Sequence, residues 1–353
     1  MISKKIIIIA GGSGGHVFPG ISIAKHLIKH GWHVKWIGTK NKIESDIVPK
    51  YNIKMHFIHV NGLRNANLKT LISSPIHIFK SYLKIKKIIK NYLPNIILGM
   101  GGYVSGPGGL AAWTSNIPFI LHEQNKIPGI TNRLLSKIST KNMQAFPGSL
   151  PNAEVVGNPI REDIINIPPP IYRFKNRSGP LRILIIGGSQ GASIFNSILP
   201  KISFFLKSKV IIWHQTGKNE LETTKKKYQK YGSHQHTVNA FIEDIASAYK
   251  WADIIISRSG ALTISEITTV GIGAIFIPYP HKDQQQLLNA KDLEKNGAAK
   301  IIDQSKFNIN LILQILSSLN RKKLLTMAEK ALSFRVKDST KKIFKIIKNI
   351  SEK

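Results

Sequence analysis

The sequence has no cysteine. Disulfides and thiolate chemistry are therefore excluded, which fits a reducing compartment. No run of about 20 apolar residues occurs, the length a helix needs to cross a bilayer core. The N-terminus enters an apolar strand pattern within a few residues. It lacks the longer apolar segment and small-residue cleavage site of a secretory signal. Acidic residues are scarce: 19 Asp and Glu stand against 51 Lys and Arg, a formal net charge of +32. No D-x-D pair and no H-E-x-x-H is present, so no metal-ligand spacing stands out and no metal or other cofactor is expected. G-x-x-x-x-G-K-[ST] is missing too, which excludes the nucleoside-triphosphate loop.

The charge excess has two readings. It suits an anionic partner: nucleic acid, an anionic membrane or phosphorylated substrates. Abundant Lys, Ile and Asn are also what compositional drift in an AT-rich genome produces. A nucleic-acid binder should show basic patches interleaved with aromatics, or a known binding motif. Neither is evident, and no nucleic-acid partner is expected.

What the chain does have is one local unit, twice. Ile6-Ile7-Ile8-Ile9-Ala10 runs into Gly11-Gly12-Ser13-Gly14-Gly15-His16. Leu181-Arg182-Ile183-Leu184-Ile185-Ile186 runs into Gly187-Gly188-Ser189-Gln190-Gly191-Ala192. Each apolar run has the length of a buried parallel strand. Each glycine cluster lets backbone N–H groups approach a ligand before a helix begins. At 353 residues the length favours two domains. The expectation is α/β: two Rossmann-like parallel-sheet domains facing one another, with anionic ligands between them.

The pattern in between alternates strands and helices. A helix is expected over 19–30, stopped by Gly31, with strands at 33–37, 55–60, 95–98 and 119–121. A break falls near Gly157-Asn158-Pro159-Ile160-Arg161 and Pro168-Pro169-Pro170. The expected domains are 1–160, joined by a basic amphipathic helix at 336–353, and 161–335. Strands in the second are expected at 181–186, 210–214, 254–257 and 274–277.

A dinucleotide fingerprint would start at Gly12 and Gly14, but Val17 holds the third glycine position. General phosphate-binding geometry remains. A third cluster, Gly101 to Gly109, places Tyr103 and Ser105 among five glycines, where both could donate to an oxygen-rich ligand. His122-Glu123-Gln124-Asn125 follows an expected strand, where open α/β sheets bind ligands. Arg258-Ser259-Gly260-Ala261-Leu262-Thr263 suits a diphosphate, and Glu266 one turn later suits a ribose diol. Consecutive amides at Gln284-Gln285-Gln286 suit sugar hydroxyls. Arg161 and Arg258 are candidates to balance diphosphate charge.

GGSGGHVFPG at 11–20, GGYVSGP at 101–107, HEQN at 122–125, GNPIR at 157–161, GGSQGA at 187–192, RSGALTISE at 258–266 and HKDQQQ at 281–286 occur in order over nearly the whole chain. Together they resemble the MurG family, peripheral-membrane N-acetylglucosaminyltransferases of peptidoglycan synthesis. The resemblance implies a GT-B fold with a deep cleft. It implies inverting transfer of GlcNAc from UDP-GlcNAc to the 4-hydroxyl of MurNAc in lipid I, giving lipid II, without a metal. The implied location is the cytoplasmic face of the bacterial inner membrane, with other cell-wall synthesis proteins as further partners. Another GT-B glycosyltransferase or a UDP-GlcNAc epimerase is the nearer alternative, and HEQN and GGYVSGP argue against both.

Carried over by position, the Ile242 backbone would face uracil and Glu266 the ribose. Ser189, Ala261, Leu262 and Thr263 would hold the phosphates. Gln285 and Gln286 would read the GlcNAc hydroxyls, with Arg161 near the nucleotide. Ser13, Gly14, Gly15 and Asn125 would reach the sugar from the first domain. Ser13 stands where the family commonly has threonine. Gly12, Gly102, Tyr103 and Ser105 would take the acceptor diphosphate.

Inversion by direct displacement needs a base at the acceptor hydroxyl. His16 is the first candidate, since imidazole titrates near neutrality; Glu123 is the second. The acceptor's polyprenyl tail requires a membrane surface. Leu71, Ile72, Ile76, Phe79, Tyr82 and Leu83 lie near helical spacing, with Lys80, Lys84, Lys86, Lys87 and Lys90 supplying charge. Trp113 could join them. The other reading is a core-facing helix with a lysine-rich outer face.

Overall fold

A computed structural model describes residues 4–60, 68–231 and 236–352, with the backbone alone for 68–74. The chain divides into two compact units, Met1–Arg161 with Val336–Lys353, and Glu162–Arg335.

The first unit is a seven-stranded sheet: β1 (Lys5–Ile9), β2 (His33–Thr39), β3 (Lys54–Ile58), β4 (Ile96–Gly99), β5 (Phe119–Glu123), β6 (Lys141–Gln144) and β7 (Glu154–Val155). Its order is β3-β2-β1-β4-β5-β6-β7. Every pairing is parallel. Successive strand side chains point to opposite faces, so the isoleucines of β1 serve two layers. Ile6 and Ile8 pack with Val17, Ile21, Leu27 and Trp36. Ile7 and Ile9 pack with Ile85, Ile89 and Phe119. The C-terminal helix Ser339–Ser351 closes the first layer with Ile343 and Ile347, both fully buried. Burying each of these side chains contributes about 1.5–3 kcal/mol.

The second unit repeats the winding in six parallel strands: β8 (Leu181–Ile186), β9 (Val210–Gln215), β10 (Thr237–Asn239), β11 (Ile254–Ser257), β12 (Gly273–Phe276) and β13 (Ala299–Ile301). The order is β10-β9-β8-β11-β12-β13. In both units the order reverses beside the first strand, between β1 and β4 and between β8 and β11. Such reversals open a crevice at the strands' carboxyl ends. Both doubled glycine loops lead out of it.

Two local expectations shift. The first helix spans Gly14–Lys29 rather than starting at Pro19. Pro19 sits inside it, in the second turn, where only the hydrogen bond to the Gly15 carbonyl is lost. β5 continues through His122 and Glu123, in register with Met143 and Gln144. These two side chains are therefore buried in the sheet rather than exposed on a loop. Buried polar groups are tolerated only when hydrogen-bonded, and both are.

The second unit also buries an imidazole. His214 is fully buried, and its Nδ1 lies 3.0 Å from the Tyr228 hydroxyl. Burial pushes the His214 pKa down to about 3 and His236, against the same tyrosine ring, down to about 4. An unfolded histidine takes up a proton below about 6.5. These stay neutral well below that in the folded unit. The unfolded state therefore binds more protons in acid, and stability falls as pH drops from about 6.5 toward 4. Each histidine adds a slope of about 1.4 kcal/mol per pH unit across that window. Urea midpoints measured at pH 7, 6 and 5 should fall progressively, and His214→Gln should flatten the fall.

Candidate functional site

In the first unit, two glycine loops meet at the switch point. A Cβ on Gly102 would lie 2.7 Å from the Gly11 carbonyl, and Gly102 has φ +78. Only glycine allows that approach. Gly12, at φ +89, faces the ring of Tyr103. The loop after β1 is held from below by Glu44, which is fully buried. Its carboxylate accepts from Gly12 N at 3.1 Å, Thr39 N at 3.1 Å and Thr39 Oγ1 at 2.7 Å. Glu44 lies outside every motif, and nothing in the local sequence marks it.

Ser13 is the N-cap of the helix Gly14–Lys29 and is exposed. Gly14 and Gly15 open its first turn, where N–H groups have no intrahelical acceptor and the helix dipole favours anions. His16 follows, with its ring against Gly101. His16 Nδ1 lies 2.8 Å from Gln124 Oε1.

An expected diphosphate ligand and an expected base are already committed. Ser105 is fully buried, and its hydroxyl donates to Gly101 O at 2.9 Å, with Ile9 O at 3.4 Å. Its single proton is therefore spent on tying β1 to the second glycine loop, and it is corrected from diphosphate ligand to loop anchor. Glu123 is corrected as well. Its Oε1 accepts from Asn125 N at 2.9 Å and Asn125 Nδ2 at 3.2 Å. Its Oε2 accepts from Asn132 Nδ2 at 2.8 Å and Gly129 N at 3.3 Å. A buried carboxylate saturated by four donors organises the 123–132 loop; it is not placed to take a proton from substrate.

In the second unit, the loop after β8 carries Ser189, which is exposed. A Cβ on Gly191 would lie 1.8 Å from Thr216 O, and one on Gly217 would lie 2.0 Å from Gln190 O. These loops too touch backbone to backbone. Gln215 bridges them to the next segment: its Nε2 donates to Gly188 O at 2.8 Å, and its Oε1 accepts from Ile242 N at 2.9 Å. The Ile242 N–H is thus engaged within the protein, leaving its carbonyl as the group that can address a base. Gln215 was not legible as a site residue.

Gly260 caps the helix Ala261–Val270, and Leu262 and Thr263 are half-buried in its first turn. Glu266 is buried, and Tyr249 donates to its Oε2 at 2.8 Å. Arg258 donates to Ile277 O at 2.8 Å and Pro278 O at 3.2 Å, and its guanidinium lies over the rings of Phe195 and Tyr279. Its first job is therefore to pin the end of β12. Arg161 lies over Phe18, in the first unit. Gln285 opens the helix Gln285–Lys295, and Gln286 Oε1 accepts from Tyr279 N at 2.9 Å, which leaves its amide NH₂ group for a ligand.

Both glycine loops also spell the G-x-S-x-G of hydrolase elbows. That motif needs its serine on a strained turn. Ser13 is extended, at φ −147 and ψ 154, and Ser189 does not take positive φ.

Comparison with known proteins decides the family. The model of the glycosyltransferase family 28 N-terminal domain matches residues 6–144, and that of its C-terminal domain matches residues 182–343. The chain belongs to glycosyltransferase family 28. A protein of Buchnera aphidicola subsp. Schizaphis graminum is 72% identical over the full length of both chains. One of Serratia proteamaculans is 50% identical over 340 residues, 96% of each. Both are named UDP-N-acetylglucosamine–N-acetylmuramyl-(pentapeptide) pyrophosphoryl-undecaprenol N-acetylglucosamine transferase. The crystal structure of Acinetobacter baumannii MurG superposes with a TM-score of 0.83 at 35% identity, covering 98% of this chain and 99% of that one. The GT-B expectation of two Rossmann-like domains is borne out.

One face of this family 28 enzyme is unusual for its exposure. The helix Leu68–Tyr92 buries Ser81, Ile85, Ile89 and Tyr92. Its other side leaves Ile76 58%, Phe79 59% and Leu83 49% exposed. Lys80, Lys84 and Lys87 are exposed around them. Tyr82 and Thr114 hydroxyls, 3.0 Å apart, tie it to the helix Ser105–Trp113, whose Trp113 is 55% exposed. The helix is therefore both core-facing and apolar outside. Ile130 and Leu134, four apart on the next short helix, are also exposed and stood outside the expected apolar positions. The side chains of Leu71 and Ile72 lie outside the described residues. Among the described residues, no helix is long and apolar enough to cross a membrane.

Glu44→Gln tests the loop support. It turns an amide NH₂ group against a buried donor, at an expected cost of about 1–3 kcal/mol. Thermal denaturation should show the lower midpoint, and an unchanged midpoint would remove Glu44 from this role.

Proposed function

We propose that the chain transfers N-acetylglucosamine from UDP-N-acetylglucosamine to the 4-hydroxyl of the N-acetylmuramyl unit of undecaprenyl-diphosphate-MurNAc-pentapeptide, with inversion. Full-length kinship at 72% identity to a protein named for that transfer carries the reading. The arrangement within each unit supports it.

The second unit takes the donor. The Ile242 carbonyl accepts from the uracil N3–H, while Gln215 holds the segment in place. Glu266, oriented by Tyr249, accepts from the ribose hydroxyls. The first turn at Ala261, Leu262 and Thr263, with Ser189 opposite, receives the diphosphate. Oriented N–H dipoles there stabilise charge as it develops on the leaving UDP. Gln285 and the free amide end of Gln286 read the sugar hydroxyls, and Arg161 approaches the nucleotide.

The first unit takes the acceptor. Gly102 offers backbone to its diphosphate and Tyr103 adds a hydroxyl, the Gly12 N–H being held by Glu44; Ser13, Gly14, Gly15 and Asn125 reach toward the sugar. His16 takes the proton of the attacking hydroxyl. The new bond joins that oxygen to C1 of GlcNAc. The C1–phosphate bond breaks, and its electron pair leaves on UDP. The exposed apolar and lysine surface around Phe79 and Trp113 rests on an anionic bilayer. Each lysine near such a surface contributes about 1 kcal/mol, enough together for reversible attachment.

Purified chain with detergent-solubilised acceptor and labelled donor should yield UDP and labelled lipid disaccharide in equal amounts. Epimerised or hydrolysed sugar with no labelled lipid would overturn the assignment. His16→Ala should lower kcat by about 10²–10⁴-fold with donor affinity retained; unchanged kcat would exclude it as base. Reversing Lys80, Lys84 and Lys87 to Glu should release the chain from anionic liposomes, and persistent binding would refute the membrane face.

A further inference from the structure

The imidazole of His16 can act as a base only through a nitrogen that carries no proton. The hydrogen bonds behind it determine which nitrogen that is. The chain of contacts begins at the Gly157 carbonyl, which can only accept. His122 Nε2 lies 2.9 Å from it, so Nε2 carries the His122 proton. His122 is fully buried, and burial lowers its pKa to about 4, so the ring is neutral near pH 7. Its Nδ1 therefore presents a lone pair.

Gln124 Nε2 lies 3.0 Å from that nitrogen and donates to it. The same NH₂ group also donates to His122 O at 3.3 Å, another group that only accepts. Both contacts give the amide one orientation. Its Oε1 then faces His16 Nδ1 at 2.8 Å, and that nitrogen must carry the proton. The lone pair of His16 is left on Nε2.

We infer that the buried series Gly157 carbonyl, His122 and Gln124 sets the tautomer of His16, making Nε2 its basic atom. His122 and Gln124 are positioning residues: they act through His16. The inference rests on the proposed transfer only for the source of the proton, the acceptor hydroxyl. When Nε2 takes that proton, the ring becomes imidazolium, and the Gln124 carbonyl dipole already points at its Nδ1–H. The two buried carboxylates beneath these loops are engaged elsewhere. Glu123 is turned to Asn125, Gly129 and Asn132, and Glu44 to Gly12 and Thr39. Tyr103 lies against Gly12.

The far end is fixed as firmly as the near one. Gly157 has φ +79, and a Cβ there would lie 2.5 Å from Ser339 Oγ and 2.7 Å from Val336 Cβ. Asn158 Nδ2 donates to Gln124 O at 3.2 Å, holding the backbone of the amide that relays the constraint. His122 and Gln124 are buried, so water does not compete for these bonds.

Nitrogen-15 spectra of the histidine-labelled full chain test this without substrate. His16 should show a protonated Nδ1 and a bare Nε2, and His122 the reverse. A protonated Nε2 on neutral His16 would overturn the inference, whatever the chain transfers. The expected tautomers with no transfer would instead defeat the functional reading alone. Gln124→Met should mix the His16 tautomers and lower kcat by about 10–100-fold, with the donor KM within about threefold. His122→Phe should match it. His122→Asn, which offers an amide oxygen to Gln124, should recover most of the loss. An unchanged tautomer and kcat in Gln124→Met would also refute the relay.

Discussion

At the carboxyl edge of each sheet, two glycine loops approach until no side chain fits between their backbones. In the first unit the Gly11 carbonyl meets Gly102; in the second, Gly191 meets the Thr216 carbonyl. Everything else at either site is arranged around that approach. In the first unit it closes the crevice floor where strand order reverses, between β1 and β4; in the second it joins the loops after β8 and β9, beside the reversal. A methyl group at either contact would force the loops apart.

The two units reach this geometry with different supports. The first buries carboxylates. Glu44 gathers Gly12 and Thr39, and Glu123 gathers Asn125, Gly129 and Asn132. Their negative charge lies beneath the loops, and each is satisfied by several donors, the condition under which a buried charge is tolerated. The second uses neutral groups, Gln215 between loops and Tyr249 behind Glu266. The repeat is thus one winding with two chemistries.

The outer surface follows a separate logic. The helix Leu68–Tyr92 fills a core layer with one side and shows aromatic and aliphatic side chains on the other. A helix that is apolar on both sides has a second surface to satisfy. The lysines around it suit the anionic bilayer proposed above as its partner. The overall charge of +32 adds a general attraction, but the local ring of lysines is what has a position.

Much was legible in the chain itself. Two apolar runs followed by glycine clusters specified two parallel α/β units, because strand period and glycine freedom are local properties. The motifs also marked the loops that the fold gathers at the carboxyl edge of each sheet. What each residue does in them was decided only by folding. Ser105 read as a ligand group and Glu123 as a candidate base until the fold enclosed them with partners that use up their hydrogen bonds. Glu44, Gln215 and Tyr249 were invisible because Gly12, Ile242 and Glu266, the groups they hold, lie in other segments, 17 to 32 residues away. Gln124 meets His16 across 108 residues. Sequence alone thus determined where glycine loops would bring backbone to the edge of each sheet. Tertiary structure decided which side chains remain free to meet a substrate, since a hydrogen bond's second partner is chosen by proximity in space.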